Sequence, residues 1–151
     1  MAIKQKNTVA LKASANCPTH SKADITIRDL SFAIDEPTER GGTNTGPTPT
    51  DAAIAALVGC TNVISNKCAD KLGIDIGQLT VNASCEFDRR GVTLSEEIDV
   101  PFVTITLDIT ANGPATAEQL AQVAEEAAKF CPLSKLFRQA GTKVIENWQS
   151  A

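Results

Sequence analysis

Thiols are the side chains in this sequence best suited to chemistry. Five cysteines occur, Cys17, Cys60, Cys68, Cys85 and Cys131, against a single histidine, His20. An odd number at irregular spacing is not the pattern of a disulfide framework. No CxxC pair exists, and CPTH (Cys17 to His20) offers one Cys and the only His. That falls short of the four ligands of a closed zinc site unless Cys68, Cys85 or carboxylates fold nearby. Any mechanism pairing a cysteine with a histidine base would rest on His20 alone. What remains is the chemistry of sulfur itself: nucleophilic attack, oxidation and disulfide exchange.

Two of the five cysteines stand in informative surroundings. Cys60 closes DAAIAALVGC (Asp51 to Cys60), a run of small apolar side chains. The run reads as a buried helix, and Cys60 lies about three turns in, beyond the reach of the helix dipole. Local physics favours Cys60 as a small core hydrophobe; the alternative is a sheltered nucleophile. Cys131 directly precedes Pro132, which makes it the expected N-cap of a helix through PLSKLFRQA. Unpaired N–H groups there favour an anion and lower a thiol's pKa, so Cys131 stands equally as a reactive or resolving thiol and as filler between helices. Cys68 and Cys85 read as structural, and Cys17 as an exposed loop residue.

The elements that must position these thiols follow from patterning. Residues 2–13 alternate loosely enough for a first strand. ADITIRDLSFAI (Ala23 to Ile34) alternates strictly and predicts one or two strands. Asp35 to Thr50 is a long connection broken by Gly41, Gly42, Gly46, Pro47 and Pro49, and a connection of that length is more often functional than idle. Thr48 then serves as N-cap, Pro49 as first helical residue and Asp51 as the acid of a capping-box variant. The helix runs to about Leu72, where Gly73 caps it. GQLTVNASCEFDRRGVTLSEE predicts a strand, a turn at Asp88 to Gly91 and a partner strand. Val100 to Thr110 predicts another strand, Thr116 with Gln119 a capping box for the next helix, and TKVIENW a closing strand. The order is that of a single α+β domain over residues 1–151.

Composition bounds the remaining possibilities. The chain has 151 residues, 42% hydrophobic and 21% charged, with a net charge of −4. Its basic residues are scattered, so no nucleic-acid-binding face is expected. No apolar run approaches the roughly 18 residues of a membrane span, and the N-terminus lacks a signal-peptide core. The expected location is the cytoplasm, with no membrane partner.

The motif GGTNTGPTPTDAAIAALVGC, with a second cysteine in KFCPLSK 71 residues after Cys60, resembles the OsmC/Ohr superfamily of cysteine-based peroxidases. RDLSFAIDEP upstream and the DRRG turn downstream extend the resemblance over about residues 28 to 145. It implies an OsmC-like fold, in which a long central helix packs against antiparallel β-sheets in an intertwined homodimer. It also implies that Cys60 is the peroxidatic thiol and Cys131 the resolving one, with an organic hydroperoxide as substrate. A thiol reductant such as a dihydrolipoyl group would complete the cycle, and no metal or organic cofactor is needed. Where family members activate the thiol with an N-terminal Arg and a Glu ten residues before it, this chain has Thr50 at that place and Asp51 next to it. The first arginine is Arg28, so Arg28 and Arg40 are the candidate cations, with Lys12, Lys22 and His20 behind them and Arg40 reading as a surface residue. A non-catalytic binder of apolar small molecules, or a redox sensor on the same scaffold, is the alternative that the missing Arg/Glu pair suggests.

Overall fold

The computed structural model describes residues 6–151. Contacts divide the chain into two compact units, one ending at Ala52 and one spanning Ala53–Ala151. The first unit holds a three-stranded antiparallel meander, β1 (Ser14–Asn16), β2 (Ala23–Ile27) and β3 (Leu30–Ile34). Arg28 and Asp29 form the two-residue turn between β2 and β3, and Arg28 takes a left-handed φ of 57° there. Residues 6–13 form no strand, and residues 2–5 of the expected first strand lie outside the described residues. Among the described residues, the alternation of residues 6–13 meets no partner strand. Strand pairing begins only where Ser14 faces Thr26.

The connection from Asp35 to Thr48 is irregular but tightly organised. Asp35 is fully enclosed, and its carboxylate accepts five hydrogen bonds. The donors are the Glu36 N–H (2.8 Å) and the N–H and hydroxyl groups of Thr43 (3.1 and 2.6 Å) and Thr45 (3.1 and 2.9 Å). The loop also returns to its own base, since the Asp35 N–H donates to the Pro47 carbonyl at 3.0 Å. Gly42 and Gly46 permit this folding back: a Cβ would collide with the Glu36 carbonyl at the first and the Ala33 carbonyl at the second.

Helix α1 (Pro49–Leu72) begins and ends as the sequence predicts. The Asp51 N–H donates to the Thr48 hydroxyl at 3.1 Å, and Gly73 follows the last turn at a φ of 68°. The Asp51 carboxylate accepts the Thr48 hydroxyl at 2.7 Å, so cap and acid are bonded to each other. Leu57, Thr61, Ser65, Cys68 and Ala69 are the buried residues of α1, spaced as one helical stripe.

In the second unit, β4 (Leu79–Phe87), β5 (Phe102–Ala111) and β6 (Lys143–Ser150) form a three-stranded sheet in that order. β4 and β5 are antiparallel, whereas β6 runs parallel to β5. A parallel neighbour requires a crossover, supplied here by α2 (Ala117–Phe130) and α3 (Pro132–Gln139). Along β5, Ile105, Leu107, Ile109 and Ala111 are buried at every second position. With Leu57 of α1, Phe137 of α3 and Val144 of β6, the three larger ones form a continuous core. Truncation of the fully buried Leu57 to Ala is expected to cost about 2–5 kcal/mol, measured as a lower urea midpoint.

The partner strand expected just after Gly91 is absent, and β4 pairs instead with β5. Residues 88–101 form an excursion held by its own side chains. Arg90 bridges Asp88 and Glu96, each at 2.7 Å, and the Thr93 and Ser95 hydroxyls donate to the Arg89 and Arg90 carbonyls. Backbone acceptors that a ladder would use are thereby satisfied locally.

Candidate functional site

Cys60 and Cys131 come from elements far apart in sequence and meet at the same apolar cluster. Cys60 is half-buried on α1, one turn beyond Leu57. Cys131 is buried at the junction where α2 stops and α3 starts. The Thr116–Gln119 capping box fixes the start of α2, and Pro132 prevents its continuation. The two sulfurs lie 3.2 Å apart, with the Cys131 thiol donating to the Cys60 Sγ. Both are free thiols.

Cys131 caps α3 as expected: its Sγ accepts the Ser134 N–H at 3.4 Å. Its acidity, however, moves opposite to the expectation for an N-cap cysteine. Burial among apolar side chains pushes the Cys131 thiol up to about 11, overriding the cap N–H groups that pull it down, and the adjacent Cys60 raises it further. One eight-residue helix offers too little field to outweigh removal of the sulfur from water. Cys131 therefore stays a protonated donor at neutral pH. Of the other cysteines, Cys68 is buried in α1 and Cys85 half-buried in β4, burial raises both thiols, and Cys17 is exposed.

Behind Cys131 lies a small cavity of about 10 Å³. Its lining includes Thr61 and Ser65 of α1, Ser134 of α3 and Glu146 of β6. The Thr61 hydroxyl donates to the Leu57 carbonyl at 2.8 Å, but the Ser65 Oγ is buried without a hydrogen-bond partner among the described residues. Arg138 joins two of the lining residues, its Nε donating to Ser134 Oγ at 3.1 Å and its guanidinium pairing with Glu146 at 3.4 Å. Burial raises the Glu146 carboxyl, and the Arg138 charge and the Trp148 side chain only partly offset this.

The remaining candidates fall in the first unit. Thr50 Oγ1 lies 3.1 Å from the Thr48 hydroxyl, so Thr50 and Asp51 both belong to the helix cap. Arg40 is exposed and bonded to Glu36 at 2.7 Å, as its surface reading predicts. Arg28 occupies the β2–β3 turn beside Lys12 on the wall of an open groove. Asp35, Glu146, Arg138 and Ser65 escaped the sequence reading. Glu146 alone carried a signal, standing at an inward position of the alternating strand VIENW.

A family model described as OsmC-like protein matches residues 42–147, across both units. The chain belongs to the OsmC-like protein family. The structure of an OsmC-like protein from Mycoplasma pneumoniae superposes on it with a TM-score of 0.78 at 17% identity, covering 99% of each chain. An organic hydroperoxide resistance protein from Elizabethkingia anophelis, with thiocyanate bound, gives 0.69 at 20% identity over 97% of this chain and 100% of that one. The organic hydroperoxide resistance protein OhrB of Bacillus subtilis gives 0.60 at 22% identity over 93% and 98%. No curated protein sequence matches significantly. At these identities the structural likeness establishes an OsmC-like fold, and the α+β architecture agrees with it.

Proposed function

We propose that this OsmC-like protein is a thiol-dependent peroxidase acting on organic hydroperoxides. The observation that carries this reading is the 3.2 Å approach of two free sulfurs within an apolar cluster, one thiol donating to the other. The Cys60 thiolate attacks the terminal oxygen of the hydroperoxide. The O–O bond breaks, the alkoxide leaves and takes a proton to become the alcohol, and Cys60 becomes a sulfenic acid. The Cys131 sulfur then attacks the Cys60 sulfur. The S–O bond breaks, water departs and a Cys60–Cys131 disulfide remains. An external dithiol of the dihydrolipoyl class returns both residues to thiols and is itself oxidised to a disulfide. The small, apolar side chains leading to Cys60 suit a hydrophobic substrate, and five free thiols suit a reducing compartment such as the cytoplasm.

The working form is proposed to be a homodimer. Helix α1 is long and apolar enough to cross a membrane by length and composition, yet only 28% of its most apolar window is buried within one chain. A second copy of this chain covering that surface accounts for the excess apolar area.

Titration of the reduced protein with cumene hydroperoxide tests the chemistry. One equivalent should remove two thiols per chain, leave Cys17, Cys68 and Cys85 free, and be followed by sustained turnover once dihydrolipoamide is added. Oxidation that stops after one equivalent whatever dithiol is supplied assigns the pair to redox sensing. No thiol loss at all removes the peroxide reading.

A further inference from the structure

The small cavity behind Cys131 has polar side chains, Thr61, Ser65, Ser134 and Glu146, among its lining residues. Its volume of about 10 Å³ is that of one water, which needs two to four polar partners to remain. Ser65 Oγ, buried and unpartnered among the described residues, supplies one. Ser134 Oγ and the Glu146 carboxylate supply others, while Ala127 and Ala128 close the remaining wall. Glu146 is out of place for packing: in β6 it stands opposite the buried Leu107 and between Val144 and Trp148, which both pack on the core. Among the described residues, its ion pair is with Arg138, at 3.4 Å. A carboxylate, a thiol and a buried, unpartnered hydroxyl lining one water-sized cavity have the composition of a proton relay.

We propose that Glu146, through one water held by Ser65 in this cavity, takes the proton of the Cys131 thiol as Cys131 attacks the Cys60 sulfenic acid. The inference rests on the peroxidase reading and deepens it. The Cys131 S–H bond breaks and its proton passes by way of the water to the Glu146 carboxylate. The Cys131 sulfur forms the S–S bond as the S–O bond of Cys60 breaks, and the departing hydroxide takes a proton from solvent. Glu146 then releases its own proton to solvent, so the net products are a disulfide and water. The need for a base follows from the acidity of Cys131: with its thiol pushed up to about 11, very little is ionised at neutral pH. The raised Glu146 carboxyl is better matched to accept a proton than an ordinary surface acid. Among the described residues, the titratable and charged groups around Glu146 at this cavity are Arg138 of α3, its ion-pair partner, and Cys131, which shares the lining. The lining residues from α1 and α2 (Thr61, Ser65, Ala127, Ala128) carry none.

Rapid mixing with cumene hydroperoxide separates the two steps, with dimedone labelling reporting the sulfenic acid and thiol counting reporting the disulfide. In Glu146→Gln, sulfenic acid should form at the wild-type rate, while disulfide formation slows by about 10²-fold at pH 7. That slowed rate should rise about tenfold per pH unit toward the Cys131 range, whereas the wild-type rate levels off once Glu146 has ionised. Glu146→Asp should recover part of the rate, and Ser65→Ala should slow the same step while preserving the thermal midpoint. Unchanged disulfide formation and pH profile in both Glu146→Gln and Ser65→Ala overturn the relay. Absence of sulfenic acid in the wild-type protein overturns instead the peroxidase reading beneath it.

Discussion

Cys60→Ser is expected to lower peroxide consumption by at least about 10³-fold, because the hydroxyl that replaces the thiol cannot form a thiolate or a sulfenic acid. The companion variant, Cys131→Ser, should behave differently. Its Cys60 should still be oxidised once, at an undiminished rate, and the sulfenic acid should persist long enough to be trapped by dimedone. Sustained turnover with dihydrolipoamide should be lost. The contrast is informative because the serine at position 131 keeps the cap: its hydroxyl can accept the Ser134 N–H that Cys131 Sγ accepts now. Failure to fold is therefore not the expected cause of lost turnover, and circular dichroism checks it. A Cys60→Ser protein that consumes peroxide as fast as wild type sinks the assignment. A Cys131→Ser protein that turns over normally removes Cys131 as the resolving thiol.

Asp35→Asn should produce the largest stability change among polar substitutions. The carboxylate is the single acceptor that ties Glu36, Thr43 and Thr45 together, and an amide nitrogen would set a donor against donors. A fall in Tm on the order of 5–10 °C is expected in a chain of this length. The hydrogen bonds, that of the Thr43 hydroxyl foremost, hold the Asp35 carboxyl far below its ordinary value of 3.8 despite the opposing effect of burial. A group whose folded pKa is depressed contributes its full stability above the unfolded value and loses it as pH falls toward the folded one. Wild-type Tm should therefore drop as pH falls below about 4, and Asp35→Asn should flatten that part of the curve. Equal acid sensitivity in the two proteins would mean that other carboxylates govern the acid limb.

How much of this was legible beforehand varies with the distance over which each feature is determined. The start of α1 at Thr48–Pro49, its end at Gly73, the Thr116–Gln119 capping box and the Cys131–Pro132 junction all appear where the residues predict them. Each depends on hydrogen bonds within a few residues, so local chemistry suffices. The failures share the opposite cause. The strand expected after Gly91 was displaced by an Arg90-centred loop, whose competing hydrogen bonds leave no trace in hydrophobic alternation. Residues 6–13 alternate but, among the described residues, find no partner strand, and alternation alone does not create one.

The candidate site divides in the same way. The two cysteines were visible as residues, and one stood at a recognisable cap, with family resemblance marking both. That their sulfurs approach to 3.2 Å is a property of the crossover from β5 through α2 and α3 to β6, which seats Cys131 against α1. The sequence by itself determined the caps, the breaks, the small-residue helix and the family. Tertiary structure alone decided the direction in which Cys131 is tuned, because removal from water outweighs one short helix's field. It also decided that Glu146, one of several polar residues in β6, would share a water-sized cavity with that thiol. Burial and long-range proximity are sums over the whole chain, and no window of neighbouring residues contains them.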